Sequence, residues 1–114
     1  MWRIKPENEE KEKVMRLYVD DCRQAPAGFE RARSVNDAKK KIERAERRGV
    51  PIELIDLDHD AGCYFSDGGD YINLLDWLVE RKTFYPVRFH TANPVGRANM
   101  QRILNRHWPE EKEK

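Results

Sequence analysis

Three short apolar runs, Met15 to Val19, Ile52 to Leu57 and Val87 to Phe89, each break off into polar chemistry, and helical patterns lie between them. The first run stops at Asp20-Asp21, the second at Asp58-His59-Asp60, and the third at His90-Thr91-Ala92-Asn93. Ser34 is placed to N-cap a helix reaching about Arg48, with Val35, Ala38, Ile42 and Ala45 at spacings of three and four, and Gly49 ends it. Asp70 is placed to cap a second helix whose stripe is Ile72, Leu75, Leu78 and Val79, with Trp77 beside it. Asn93-Pro94 starts a third, through about Arg106, as an N-cap followed by proline at the first helical position. Strand and helix in alternation predict a three-layer α/β domain with a parallel sheet. The carboxyl ends of neighbouring parallel strands open onto one crevice, so the three polar termini predict a single acidic, histidine-bearing site.

Smaller signals fill in the rest. Pro26 to Gly28 reads as a turn, and Phe29 to Arg33 alternates like a short edge strand. Gly62 to Gly69, with Tyr64, Phe65 and the Gly68-Gly69 pair, is a candidate lid loop. Asp56 interrupts an otherwise apolar strand on the face of Leu54 and Asp58, and must lie near the strand end or be paired, since an isolated buried carboxylate is costly.

With 114 residues, 39% apolar and 38% charged, the chain suits one compact domain with a modest core. That domain is expected over residues 14 to 107, between a charged N-terminal segment, 1 to 13, and a charged tail, 108 to 114. A net charge of +1 argues against bulk electrostatic capture of nucleic acid, although the basic stretch from Lys39 to Arg48 could touch RNA locally. No stretch is apolar enough to cross a membrane or act as a signal peptide, which leads to a cytoplasmic expectation. Cys22 and Cys63 are too few and too far apart for a zinc knuckle or disulfide framework, and are expected as reduced thiols near the site.

Carboxylates at Asp20, Asp21, Asp58 and Asp60 cannot all stay ionised close together without a cation or positive side chains between them. Oxygen-rich ligation of this kind suits a hard divalent ion such as magnesium. His59 and His90, converging beside acids, are candidates to lend or take a proton near neutral pH, whereas His107 belongs with its helix C-terminus or solvent. The helix start at Asn93, Gly96 and Arg97 offers backbone amides and a cation to an anion, and Arg23 could add a bidentate contact.

These residues resemble the phosphoacceptor receiver domains of two-component signalling, in Asp20-Asp21, Asp58 and Thr91-Ala92. The resemblance is closer to the cyclic-phosphate processing receiver domains, a receiver-like branch of the flavodoxin-like three-layer fold. Their Asp-Asp-x-Arg-like start looks like Asp20-Asp21-Cys22-Arg23, and their Leu-Asp-His-Asp motif like Leu57-Asp58-His59-Asp60. Their His-Ser/Thr-x-Asn-x-x-Gly-x-x-Asn-Met stretch looks like His90-Thr91-Ala92-Asn93, continuing through Gly96 and Arg97 to Asn99-Met100. Compared with ordinary receivers the sheet is reduced: residues 22 to 28 are too few for the usual crossover helix, and no strand follows Thr91-Ala92 to carry the receiver lysine.

The resemblance implies a phosphoesterase acting on a cyclic phosphate of a nucleotide or RNA end. In such a reaction His59 and His90 would serve as acid and base beside Asp58. Asp20, Asp21, Asp58 and Asp60 would hold a divalent cation, and Arg23, Thr91, Asn93, Gly96 and Arg97 would meet phosphate. The alternative within the same pocket is a non-catalytic receiver-like signalling or phosphate-binding module.

Overall fold

The computed structural model describes residues 14–109, so the charged segment 1 to 13 and the tail from 110 onward lie outside the described residues. Four strands, β1 (Met15–Val19), β2 (Glu30–Ala32), β3 (Ile52–Leu57) and β4 (Val87–Phe89), form one all-parallel sheet in the order β2-β1-β3-β4. Three helices, α1 (Val35–Arg47), α2 (Ile72–Arg81) and α3 (Pro94–His107), connect and follow them, with a short 3-10 turn at Gly62–Tyr64. The expected receiver-like α/β class with a reduced parallel sheet is what the chain forms: the strand order is the flavodoxin-like one without its fifth strand.

Register explains where the chemistry lies. Val19 pairs with Ala32 and Leu57, and Leu57 with Phe89, so Asp20, Asp58 and His90 follow three adjacent strands at one level. The backbone continues that alignment beyond the ladder, since the Asp58 N–H donates to the Val19 carbonyl (3.0 Å) and the His90 N–H to the Leu57 carbonyl (2.9 Å).

Leu17, Val19, Ile55, Leu57 and Phe89 share one face by strand alternation, and they form a single core cluster with the buried residues of the helices. The crossovers β2-α1-β3 and β3-α2-β4 advance across the sheet in the same direction, so right-handed connections put both helices on that face. The last helix joins them there, with Met100 fully buried. The layering therefore differs from a sheet sandwiched between helices: among the described residues, no helix covers the opposite face. That face carries Arg16, Tyr18, Leu54, Asp56 and Arg88. Tyr18 and Asp56 are still buried there, because Phe29 meets Tyr18 edge-on, His90 stacks on Tyr18, and Arg88 reaches the Asp56 carboxylate.

The missing layer begins at the β1–β2 connection. A parallel pair normally needs a crossover of about a dozen residues or more, yet residues 20–29 make this one without a helix. Local hydrogen bonds replace it: the Asp20 carboxylate accepts from the Cys22 and Arg23 N–H groups (both 2.8 Å), and Phe29 N–H donates to the Pro26 carbonyl (3.1 Å). Gly28 takes the positive φ of 85° that turns the chain back.

Ser34 caps α1 as expected, its hydroxyl accepting from Asp37 N–H, and Val35, Ala38, Ile42 and Ala45 form its buried face. Asn93 likewise caps α3, accepting from Gly96 N–H (3.0 Å) ahead of Pro94. The expected Asp70 cap of α2 does not form. Tyr71 holds that position without a side-chain bond, and Asp70 instead accepts from Ala61 N–H (3.0 Å) inside the loop. Leu74 is buried on α2 with Leu75 and Leu78, while Ile72 and Val79 are half-buried. In the basic stretch of α1, Lys41 pairs with Asp37, Arg44 with Glu30, and Lys39 lies over Trp77. Trp108, at the expected start of the tail, donates its indole N–H to the Tyr85 carbonyl (2.7 Å).

Glu46 ties α1 to the segment around α2 and β4 by accepting from Arg81 (2.6 Å) and from the Tyr85 hydroxyl. Burial alone would raise its pKa, but the Arg81 and Tyr85 bonds outweigh that and hold it below the ordinary 4.5. The folded state therefore gains stability from ionised Glu46 above that value and loses it as pH falls through the lower folded-state value. In denaturant titrations the gap between wild type and Glu46→Gln should be constant near neutrality and shrink on acidification below 4.5; a gap independent of pH would show that the ion pair contributes nothing. Lys82 closes α2 in the left-handed conformation at φ 60°. Lys82→Gly should relieve that strain and raise stability by roughly 0.5–1 kcal/mol, visible as a higher melting temperature.

Candidate active site

His90 sits just past β4, with its imidazole held from both sides. Its Nδ1 is 2.7 Å from Asp56 Oδ1 and its Nε2 is 2.8 Å from Asp20 Oδ2, while the ring stacks on Tyr18 at 4.3 Å and 5°. Both carboxylates are nearly inaccessible, Asp20 at 1% and Asp56 at 3% exposure. Burial alone would depress the His90 pKa, but the bonds to Asp56 and Asp20 raise it overall. Burial likewise pushes both aspartates up. The Arg23 and Cys22 N–H groups and His90 bring Asp20 below its ordinary value, and His90 and Arg88 do the same for Asp56. A ring nitrogen facing a carboxylate oxygen at this distance carries a proton, so the geometry describes an imidazolium between two carboxylates.

Asp58 lies beside this bridge: its carboxylate oxygen, one from Asp20 and a nitrogen of His90 all fall within 4.8 Å of one another. The three residues are spaced to hold a metal ion. Its other contact is local, since Asp58 Oδ1 accepts from His59 N–H (2.8 Å). Arg23 closes the rim, donating to the His90 carbonyl (3.3 Å). Its guanidinium is held in the charged form by the Tyr18 hydroxyl first, then by Asp20 and Asp58.

His59 belongs to a neighbouring cluster. Its Nδ1 is 2.8 Å from Asp60 Oδ1, and Asp70 completes a second group of ligand-type atoms within 4.8 Å. The ring lies flat against Gly96, where even a Cβ would come within 2.4 Å of it. Asp21 packs on the loop: a Cβ on Gly62 would lie 2.1 Å from its carboxylate, and Gly62 holds a φ of 58°. Of the four acids expected to share one cation, Asp20 and Asp58 thus come together, Asp60 stands with His59, and Asp21 packs on Gly62.

Of the residues expected to meet phosphate, Arg23 faces the cluster, while the others have structural contacts of their own. Thr91 is buried with Oγ1 accepting from Asn93 N–H (3.1 Å), and the Asn93 carbonyl oxygen is engaged by the helix cap. Arg97 donates to the Phe89 carbonyl (3.2 Å), and Gly96 is buried beneath the His59 ring. Cys22 and Cys63 are both exposed free thiols.

Three participants were not in the sequence-derived site: Asp56, Tyr18 and Arg88. The signal that could have found them is period two. Tyr18 and Asp20, Asp56 and Asp58, Arg88 and His90 are alternate residues on three adjacent strands, and so share a face.

The family model described as cyclic-phosphate processing receiver domain matches residues 15–106. Curated proteins and solved structures give no match. No helix among the described residues is long and apolar enough to cross a membrane.

Asp56→Asn removes one of the two charges facing His90, so the imidazole pKa measured by NMR titration should fall relative to wild type. The folded protein should lose about 1–3 kcal/mol, the range for a buried charged hydrogen bond. An unmoved His90 titration would mean that Asp56 does not hold the ring.

Proposed function

We propose that this chain, which belongs to the cyclic-phosphate processing receiver family, hydrolyses the cyclic phosphodiester of a nucleotide or an RNA end at the carboxyl edge of its sheet. The observation that carries this reading is the His90 imidazole between Asp20 and Asp56, beside Asp58 and the Arg23 guanidinium. Ring opening needs a water stripped of a proton, a proton for the leaving oxygen, and positive charge at the non-bridging oxygens.

The two histidines divide the proton work by their surroundings. With its Nδ1–H donating to the Asp60 carboxylate, His59 has a lone pair at Nε2: the tautomer of a general base. Gly96 beneath the ring keeps it in place. Water loses a proton to His59 as its oxygen bonds to phosphorus; the bond from phosphorus to the ribose oxygen breaks, and that oxygen takes the proton His90 now shares with Asp20. The product is a phosphomonoester, and solvent returns both rings to their starting states. Arg23 offers two N–H groups to the phosphate.

A divalent cation such as magnesium fits this donor set through oxygens rather than through the imidazole. Asp20 and Asp58 would hold it, because both His90 nitrogens already face carboxylates. When bound it would supply further positive charge to the phosphate oxygens. Asp21 and Asp60 fall outside that group of three, Asp21 packing on Gly62 and Asp60 standing with His59 and Asp70.

Turnover of a nucleoside 2′,3′-cyclic phosphate, followed by ³¹P NMR, tests the reading. His59→Ala and His90→Ala should each lower kcat by about 10²–10⁴-fold with circular dichroism unchanged. Gly96→Ala should lower kcat by displacing the His59 ring, while Arg23→Ala should raise KM. Chelation should slow the reaction and added magnesium restore it. Wild-type rates in both histidine variants would rule out the assigned roles, and a stable acyl phosphate on Asp58 after incubation with acetyl phosphate would favour a receiver-like module instead.

A further inference from the structure

A second pocket opens beside the acidic cluster, at the carboxyl end of β2. It has a volume of about 400 Å³ and is lined by Arg31, Arg33, Ser34, Asp37, Lys40, Tyr64 and Asp67. Sheet and loop join it to the site: the Asp20 N–H donates to the carbonyl of Ala32 (3.0 Å), the residue before Arg33, and Tyr64 lies two residues beyond Gly62, which packs on Asp21. Tyr71 reinforces the connection, its hydroxyl donating to the Arg33 carbonyl (2.6 Å) and its N–H to the His59 carbonyl (3.0 Å).

The pocket's charges are unevenly satisfied. Asp67 accepts from Ser34 (2.6 Å) and Asn36 (3.1 Å), and Asp37 pairs with Lys41 (3.2 Å). Arg33, by contrast, donates to the neutral Tyr64 hydroxyl (3.1 Å), and the buried Nε of Arg31 has no hydrogen-bond partner. Lys40 adds a third cation, whose field reaches Asp67. Two guanidinium groups without carboxylate partners call for an anion. Tyr64 stands in the pocket wall, and the next residue in the chain, Phe65, is an exposed aromatic at 59%. Cations tracking a backbone, with aromatic rings beside them, are how proteins hold single-stranded nucleic acid.

We propose that this pocket binds the phosphate and base adjoining the cyclic end of an oligonucleotide, so that the substrate is a chain terminus rather than a free cyclic mononucleotide. The inference rests on the hydrolytic reading above for what lies at the Asp20–His90 end. Arg31 and Arg33 grip the adjoining phosphate, Lys40 adds to the field, and Phe65 offers a face for the neighbouring base.

The test uses two probes, a fluorescein-labelled tetraribonucleotide ending in a 2′,3′-cyclic phosphate and the matching mononucleotide, with binding read by anisotropy and turnover read separately. The tetranucleotide should bind more tightly. Arg33→Ala should weaken it about tenfold, the worth of one charge-assisted bond, and flatten its log–log salt dependence by about 0.7. Phe65→Ala, an exposed position, should weaken it about fivefold or more. Equal affinity for the two probes, or tetranucleotide binding indifferent to Arg33 and Phe65, would overturn the subsite. Loss confined to Arg33→Ala, with inorganic tripolyphosphate competing as well as the oligonucleotide, would overturn the nucleic-acid assignment. Tight, Arg33-dependent binding without turnover would uphold the subsite and remove the hydrolase reading instead.

Discussion

The Asp20–His90–Asp56 bridge is the contact on which the site depends. It joins the chain just past β1, the chain just past β4 and the body of β3, and it does so in a place where none of the three could stand alone. A buried carboxylate without a partner is expensive, and two of them side by side more so. One imidazolium satisfies both, and its own two N–H groups are satisfied in return. Breaking such an arrangement by removing one member strands the others, which makes it costly to disturb even though its net contribution to folding is small. The same contact bears on the chemistry, for two carboxylates push the ring's pKa upward and favour its protonated form.

Among the described residues the helices cover one side of the sheet only, and the bridge lies on the other, with His90 half-buried and both carboxylates buried. In a fold with helices on both faces, Tyr18, Asp56 and Arg88 would meet a helix. Here the crossover helix usual between such strands is, as the short connection predicted, replaced by a loop that winds on the Asp20 carboxylate. That loop delivers Phe29 to Tyr18 and Arg23 to the rim in place of a helical layer. Asp20 is thus structural and chemical at once: one oxygen builds the turn that allows the parallel pairing, and the other holds His90.

Much of this was legible in the sequence, and the parts that were not share a cause. The apolar runs and the spacing of Val35, Ala38, Ile42 and Ala45 declare strands and a helix because burial imposes a period on local sequence. Ser34 and Asn93 declare caps because their side chains act within three residues of themselves. Asp70 misled because it looks the same locally, yet a more distant donor, Ala61, competes for its carboxylate. The grouping of the acids was equally hidden: Asp20 and Asp21 are neighbours in sequence, but adjacent side chains leave a strand end in opposite directions. That geometry sends one to His90 and the other to Gly62. Asp56 was legible as a carboxylate needing a partner, but not as part of the site, since its partners lie on β4 and just past it, 32 and 34 residues away.

The two histidines show why residue type and position alone do not settle a role. Both follow a strand and both touch aspartate, yet one touches two carboxylates and the other touches one. On the proposed reading His90, with both nitrogens facing acids, is the ring that gives up a proton, and His59, bonded to Asp60 through Nδ1, is the ring that accepts one at its other nitrogen. The division also bears on the cation. On the proposed reading a cation would be held by Asp58 and by Asp20 Oδ2, the oxygen that also faces His90, and would reach the imidazole only by displacing the proton between them. Because Asp56 engages the other ring nitrogen, hard oxygen ligation would then be compatible with a protonated imidazole that stays outside the coordination sphere.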